Sequence, residues 1–180
     1  MLFRSDAEVA AAVKKTWGEV HGSTSAEMRQ QVDRFVDVIG KGSGNPYNGR
    51  QLYRASCGKC HLLFEDGGRI GPDLTSYKRD DLSRMLLNVV NPSAEIREGF
   101  ENYLVVTNDG RQLNGFIADQ DNQVVTLRGV DGQTLVIPRG EIDDMRAVPL
   151  SIMPEGLLQK LADQEVRDLF AYLRSTQPLP

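Results

Sequence analysis

Cys57-Gly58-Lys59-Cys60-His61 marks a change of character in the chain. Before it, Asn45-Pro46 is a helix-start signal, and Leu52 and Tyr53 carry the run forward as a helix. After it come Gly67-Gly68 and Gly71-Pro72, which read as irregular chain. These two cysteines are the only ones among 180 residues, and His21 is the only other histidine. Disulfide-rich scaffolds are therefore excluded. Hydrophobic residues at 40% and charged residues at 26% are those of a globular domain, not of a disordered chain. No apolar run is long enough to span a bilayer.

The pattern C-x-x-C-H is that of c-type haem attachment. Two thiols three residues apart on one turn can reach two vinyl groups on adjacent edges of one porphyrin, and the next residue projects an imidazole at the iron, which accepts a proximal His. Three other readings compete. A thioredoxin-like pair needs a strand before it and a helix after it, the reverse of the order here. A zinc site needs a fourth ligand, for which only His21 remains. A Cys57–Cys60 disulfide would close a tiny loop and leave His61 without a role.

Outward from the motif the chain divides into segments. Residues 1–44 read as an N-terminal helical pair. Ser5 with Glu8 is a capping-box pattern followed by Val9, Val13, Trp17 and Val20, with Gly22 as the stop. Thr24 with Glu27 repeats the pattern ahead of Met28, Val32, Phe35, Val36 and Ile39, closed by Gly40. Two amphipathic helices must pack on something else, either the rest of the chain or a neighbour. A further helix is expected from about Asp80 to Val90, stopped by Asn91-Pro92. Residues 101–148 change period. The runs 102–107, 112–118, 123–127, 134–137 and 142–148 alternate or are β-branched, with Asn108-Asp109-Gly110 and Val130-Asp131-Gly132 as hairpin turns. They read as a small antiparallel sheet or barrel. Leu157, Leu158 and Leu161 form a helical turn, and Val166, Leu169, Phe170 and Leu173 mark a last amphipathic helix.

Charge follows the same division. The total is −4, and residues 101–148, with four basic and eight acidic groups, account for all of it. A nucleic-acid footprint is disfavoured. Met1-Leu2-Phe3-Arg4 runs directly into Ser5-Asp6 with no apolar leader, which suggests a cytoplasmic protein or a trimmed or excised chain.

Gly49-Arg50-x-Leu52-Tyr53, the C-x-x-C-H motif, Gly71-Pro72-Asp73-Leu74 and the aromatic helix 166–173 together resemble the class I cytochromes c. The longer string resembles the haem-binding C-x-x-C-H domains of the Pirellula/Verrucomicrobium type: Gly-Pro-Asp-Leu-Thr at 71–75, Asn91-Pro92, Asp109-Gly110 and Ser151-x-Met153-Pro154-Glu155-Gly156-Leu157. The resemblance implies an α+β chain: a helical class I haem domain from 45–100 plus 149–180, an inserted β subdomain at 101–148, and the N-terminal helical pair. It implies haem c bound through Cys57 and Cys60, His61 as proximal ligand, Pro72 as the carbonyl accepting from its Nδ1–H, and Leu74 packing on the porphyrin. Met153, in the loop before the final helices, is implied as the distal ligand. His21 and an open iron are the alternatives. Met28 and Met85 read as core packing, and Met145 sits in the last β run. Gly49 and Tyr172 match a close crossing of first and last helices.

The function expected from this resemblance is one-electron transfer by a module of a larger exported, periplasmic protein, not bond-making catalysis. The alternatives are binding or sensing of carbon monoxide or nitric oxide at a displaceable ligand and, ranked below it, a peroxidase. The partner is expected to be a redox protein or a tethered catalytic domain. The acidic β segment either braces the haem domain or docks a basic partner. Arg69, Lys78, Arg79 and Arg84 are candidates for the propionates, while Glu65-Asp66 and Asp143-Asp144 read as solvated charges.

Overall fold

A computed structural model describes residues 25–180. The expected first helix, with Trp17 and His21, lies outside the described residues. The described chain forms four α-helices: α1 (Ala26–Gly40), α2 (Pro46–Ala55), α3 (Leu82–Val90) and α4 (Asp163–Leu173). Two short strands, β1 (Leu62–Leu63) and β2 (Asp66–Gly67), pair as a hairpin after the motif. The remaining strands are β3 (Asn102–Thr107), β4 (Gln112–Gln120), β5 (Val124–Arg128), β6 (Thr134–Pro138) and β7 (Ile142–Val148). They form one antiparallel sheet in the order β6-β5-β4-β3-β7.

This corrects the expected architecture. A class I haem domain is an all-helical unit, and no such unit stands out among the described residues, where four helices accompany a five-stranded antiparallel sheet. The sheet has a core of its own, built from Val105, Leu127 and Ile137 with Tyr103, Leu113, Ile117, Ile142 and Met145 against it. The reason lies in the alternation along these strands, which turns one set of side chains inward, and in the turns that join them. Gly110 and Gly132 hold φ of +84° and +78°, values that suit glycine at hairpin turns. The register shifts between Ile117 and Asp119, a bulge that carries β4 to Gln120, beyond its expected end.

The helices share a second core. Phe35 and Val38 of α1, Tyr53 of α2, Leu86 and Val90 of α3, and Val166, Leu169, Phe170, Tyr172 and Leu173 of α4 are all buried in it. The apolar face of α1 is thus covered by the chain's own α3 and α4. Its cap differs from the expectation by one residue: Ser25, not Thr24, is the N-cap, and its hydroxyl accepts from Met28 N at 3.1 Å. That geometry places Met28 at N3, where a capping oxygen reaches best.

The closest approach is between α2 and α4. A Cβ on Gly49 would lie 1.9 Å from the Asp168 carbonyl oxygen and 2.8 Å from Tyr172 Cβ. Only glycine permits this contact. Asp168 is 4% exposed and crosses to the start of α2, where Asn45 N donates to it at 2.7 Å. Gln164 Nε2 donates to the same carboxylate at 2.7 Å, and Asn48 Nδ2 at 3.4 Å. These donors hold the carboxyl below its ordinary range although burial pushes the other way.

Candidate functional site

The motif occupies a tight turn directly after α2. Cys57–Lys59 is one 3₁₀ turn, and the amides of Cys60 and His61 both donate to the Cys57 carbonyl, at 3.1 and 2.9 Å. The two cysteines and the histidine are thereby gathered on one bend of backbone. Both thiols are free and half-buried. Burial raises the Cys57 thiol above its ordinary value, and the Ser56 hydroxyl 3.6 Å away partly offsets this.

His61 is held at both ends. At the ring, Nδ1 lies 2.8 Å from the Pro72 carbonyl oxygen. A carbonyl can only accept, so Nδ1 carries the proton and Nε2 keeps its lone pair. Burial lowers the imidazole pKa, with the Pro72 bond acting against it, so the neutral form that a metal requires is favoured. Gly71 packs against the same ring: a Cβ there would fall 2.8 Å from Cε1 and 3.0 Å from Nδ1. At the main chain, the His61 carbonyl accepts from Tyr53 Oη at 2.5 Å.

The loop from 62 to 75 is tied back to the turn. Leu74 N donates to Leu62 O, and Ile70 N and Gly71 N both donate to Cys60 O. Phe64, at φ 57°, sits between β1 and β2 in the left-handed region that a non-glycine residue rarely adopts, with its amide 2.6 Å from Thr75 Oγ1. Leu74 is half-buried and packs, with Cys57 and Phe64, against the helical core.

Met153 stands in the segment between β7 and the 3₁₀ turn Leu157–Lys160. It is half-buried, and its amide donates to Ser151 Oγ at 3.1 Å. Ser151 N in turn donates to Ser93 Oγ, tying this segment to the chain after α3. Among the described methionines, Met28 and Met85 pack against the helical core and Met145 against the sheet core. Met153 is the one methionine in the described chain that neither core includes.

Of the cationic candidates, Arg79 is turned inward. Its guanidinium donates to Leu173 O at 2.9 Å and Ser175 O at 2.7 Å, closing the end of α4, and lies over the Phe64 ring at 5.0 Å. Arg84 pairs with Glu95 at 2.8 Å. Asp66 pairs with Arg54 at 2.7 Å. Tyr53 reads in the sequence as a helical apolar position and as part of the string that carries the resemblance, not as a hydrogen-bond donor to His61; its spacing four residues before Cys57, one helical turn, is the available signal.

The donor set suits the group that the motif implies. It offers two thiols on one turn, an imidazole of fixed tautomer, and a glycine where a Cβ would displace the ring. Among the described residues, no three His, Cys, Asp or Glu side chains are grouped to hold a metal ion by themselves. No helix among the described residues is long and apolar enough to cross a membrane. No family model matches the chain, and no curated protein matches it.

Proposed function

We propose that this chain binds one c-type haem through Cys57 and Cys60 and serves one-electron transfer. The observation that carries the reading is the His61 Nδ1 contact with Pro72 O beside two free thiols on the same turn. A haem bound there supplies an iron centre that exchanges one electron. The residues of this chain supply the rest. Cys57 and Cys60 would hold the porphyrin, and His61 would offer Nε2 to the metal. Pro72 O keeps the proton on Nδ1 and strengthens the imidazole as a donor. Leu74, which packs against the helical core, would offer its apolar side chain to the porphyrin. Met153 would supply the thioether ligand, since the other described methionines pack against the two cores. Thioether ligation favours the reduced iron.

The chain is in this reading a haem-binding C-x-x-C-H module of an exported redox protein, working in the periplasm. Its partner is a second redox protein or a tethered catalytic domain. The acidic sheet segment, net −4, provides charge that steers a basic partner.

The test is expression with export and haem maturation. Protein that keeps its colour through acid–acetone extraction and gains the mass of one haem supports the reading. Colourless protein at the bare polypeptide mass ends it. Prompt carbon monoxide binding by the reduced protein favours gas binding over electron transfer.

A further inference from the structure

Tyr53 lies outside the motif, yet the motif's backbone is arranged around its hydroxyl. Tyr53 is fully buried and packs against Tyr172 in a tilted arrangement, with ring centroids 5.3 Å apart and planes at 59°. Its Oη reaches two main-chain carbonyls, His61 O at 2.5 Å and Asp66 O at 3.3 Å. A phenol has one proton, and the shorter contact takes it. Two glycines keep this niche clear. A Cβ on Gly58, between the cysteines, would lie 3.1 Å from Tyr53 Cε1. A Cβ on Gly67 would lie 2.1 Å from His61 O and 3.0 Å from Tyr53 Oη, and Gly67 has a φ of +113° besides. The ring is anchored in the helical core, so its hydroxyl is a fixed point.

We infer that the Tyr53 hydroxyl is a positioning residue for the axial ligand. It pins the main chain of His61 while Pro72 O pins the ring. This rests on the haem reading above. With one end of the residue tied to α2 and the other to the Pro72 loop, the imidazole plane is held in one orientation relative to the turn that carries the cysteines. Removing the hydroxyl frees the main-chain end only. It also leaves the His61 carbonyl without this donor.

The experiment compares mature haem-loaded wild type with Y53F and Y172F. Each variant keeps its ring and loses one hydroxyl, but only Tyr53 touches His61. The readouts are the midpoint potential and the hyperfine-shifted haem-methyl resonances of the ferric protein, whose pattern follows the plane of the axial imidazole. The inference expects a redistributed methyl pattern and a shifted potential in Y53F, with both kept in Y172F. Haem per chain, measured by mass, covers the case of poor maturation. Loss of attachment in Y53F with normal attachment in Y172F supports the inference, and equal loss in both overturns it. A Y53F protein with the wild-type methyl pattern and potential overturns it outright. Wild type without bound haem ends the haem reading and this inference together, an outcome distinct from the others.

Discussion

Gly49 of α2 meets the main chain of Asp168 of α4 so closely that a Cβ would stand 1.9 Å from its carbonyl oxygen. The helices cannot keep this crossing with any larger residue. Gly49→Ala is expected to destabilise the protein by about 3 kcal/mol, since overpacking a tight contact costs about 1–3 kcal/mol or somewhat more. Urea unfolding of the two proteins checks the value. A loss under about 0.5 kcal/mol, the range of ordinary surface changes, would mean that the helices separate easily.

Asp168 has a consequence for pH. Its carboxyl is held below the ordinary range by Asn45 N–H, Gln164 and Asn48. A depressed folded value stabilises above the unfolded value, about pH 4. That contribution is lost as pH falls through the folded value. Asp168→Asn is therefore expected to cost about 2 kcal/mol at neutral pH, the scale of hydrogen bonds to a charged group. The gap to wild type should narrow as pH falls below the unfolded value and through the depressed folded one. Thermal melts at several pH values measure it, and a gap that stays constant into acid contradicts the assignment.

Gly71 is expected to be as restrictive for the site as Gly49 is for the core. Gly71→Ala puts a Cβ 2.8 Å from His61 Cε1. The ring must turn, and the Pro72 bond must lengthen. The expected stability loss is about 1–3 kcal/mol, as for overpacking elsewhere. The expected functional result is altered axial ligation in the visible spectrum of the haem-loaded protein. An unchanged spectrum would place the ring elsewhere.

Met153→Ala is expected to open the iron of haem-loaded protein to carbon monoxide and to lower its potential, since a thioether that favours reduced iron is removed. Met85→Leu and Met145→Leu, which touch core residues instead, should leave both properties near wild type. Stopped-flow mixing of the reduced proteins with carbon monoxide separates the cases. Equal behaviour of all three variants would remove Met153 from the ligand set.

Local features were legible in the sequence. The period-two runs and Gly-bearing turns located all five sheet strands to within a few residues, because alternation and turn chemistry act over short spans. The C-x-x-C-H spacing is equally local. Long-range features were not legible. That β7 lies beside β3, rather than beside its sequence neighbour β6, follows from tertiary pairing. Asp168 reads as an ordinary polar position on a helix, and its burial comes from a bond to Asn45, 123 residues away. Arg79 reads as a free cation near the site, but the α4 carbonyls claim it. The class I haem domain with an inserted sheet is corrected for a related reason. Motif resemblance weights the residues around Cys57, while the sheet carries a core of its own.

The hairpin joining β5 to β6 has one further implication. Its Gly132 is close enough to Ile70 that a Cβ would meet that side chain at 3.7 Å, and Ile70 precedes the glycine lying on His61. Strand-connecting tips are ordinarily where a chain accepts extra residues. This one lies beside the histidine's supporting loop, so added length there would meet the site as well as the sheet. At the β3–β4 turn a Cβ on Gly110 meets nothing within 4 Å, but Asn108 donates from N to Glu141 O and from Nδ2 to Gly140 O, both at 2.8 Å. Inserted residues would thus disturb the start of β7 at 108–110 and the loop of Ile70 at 130–132.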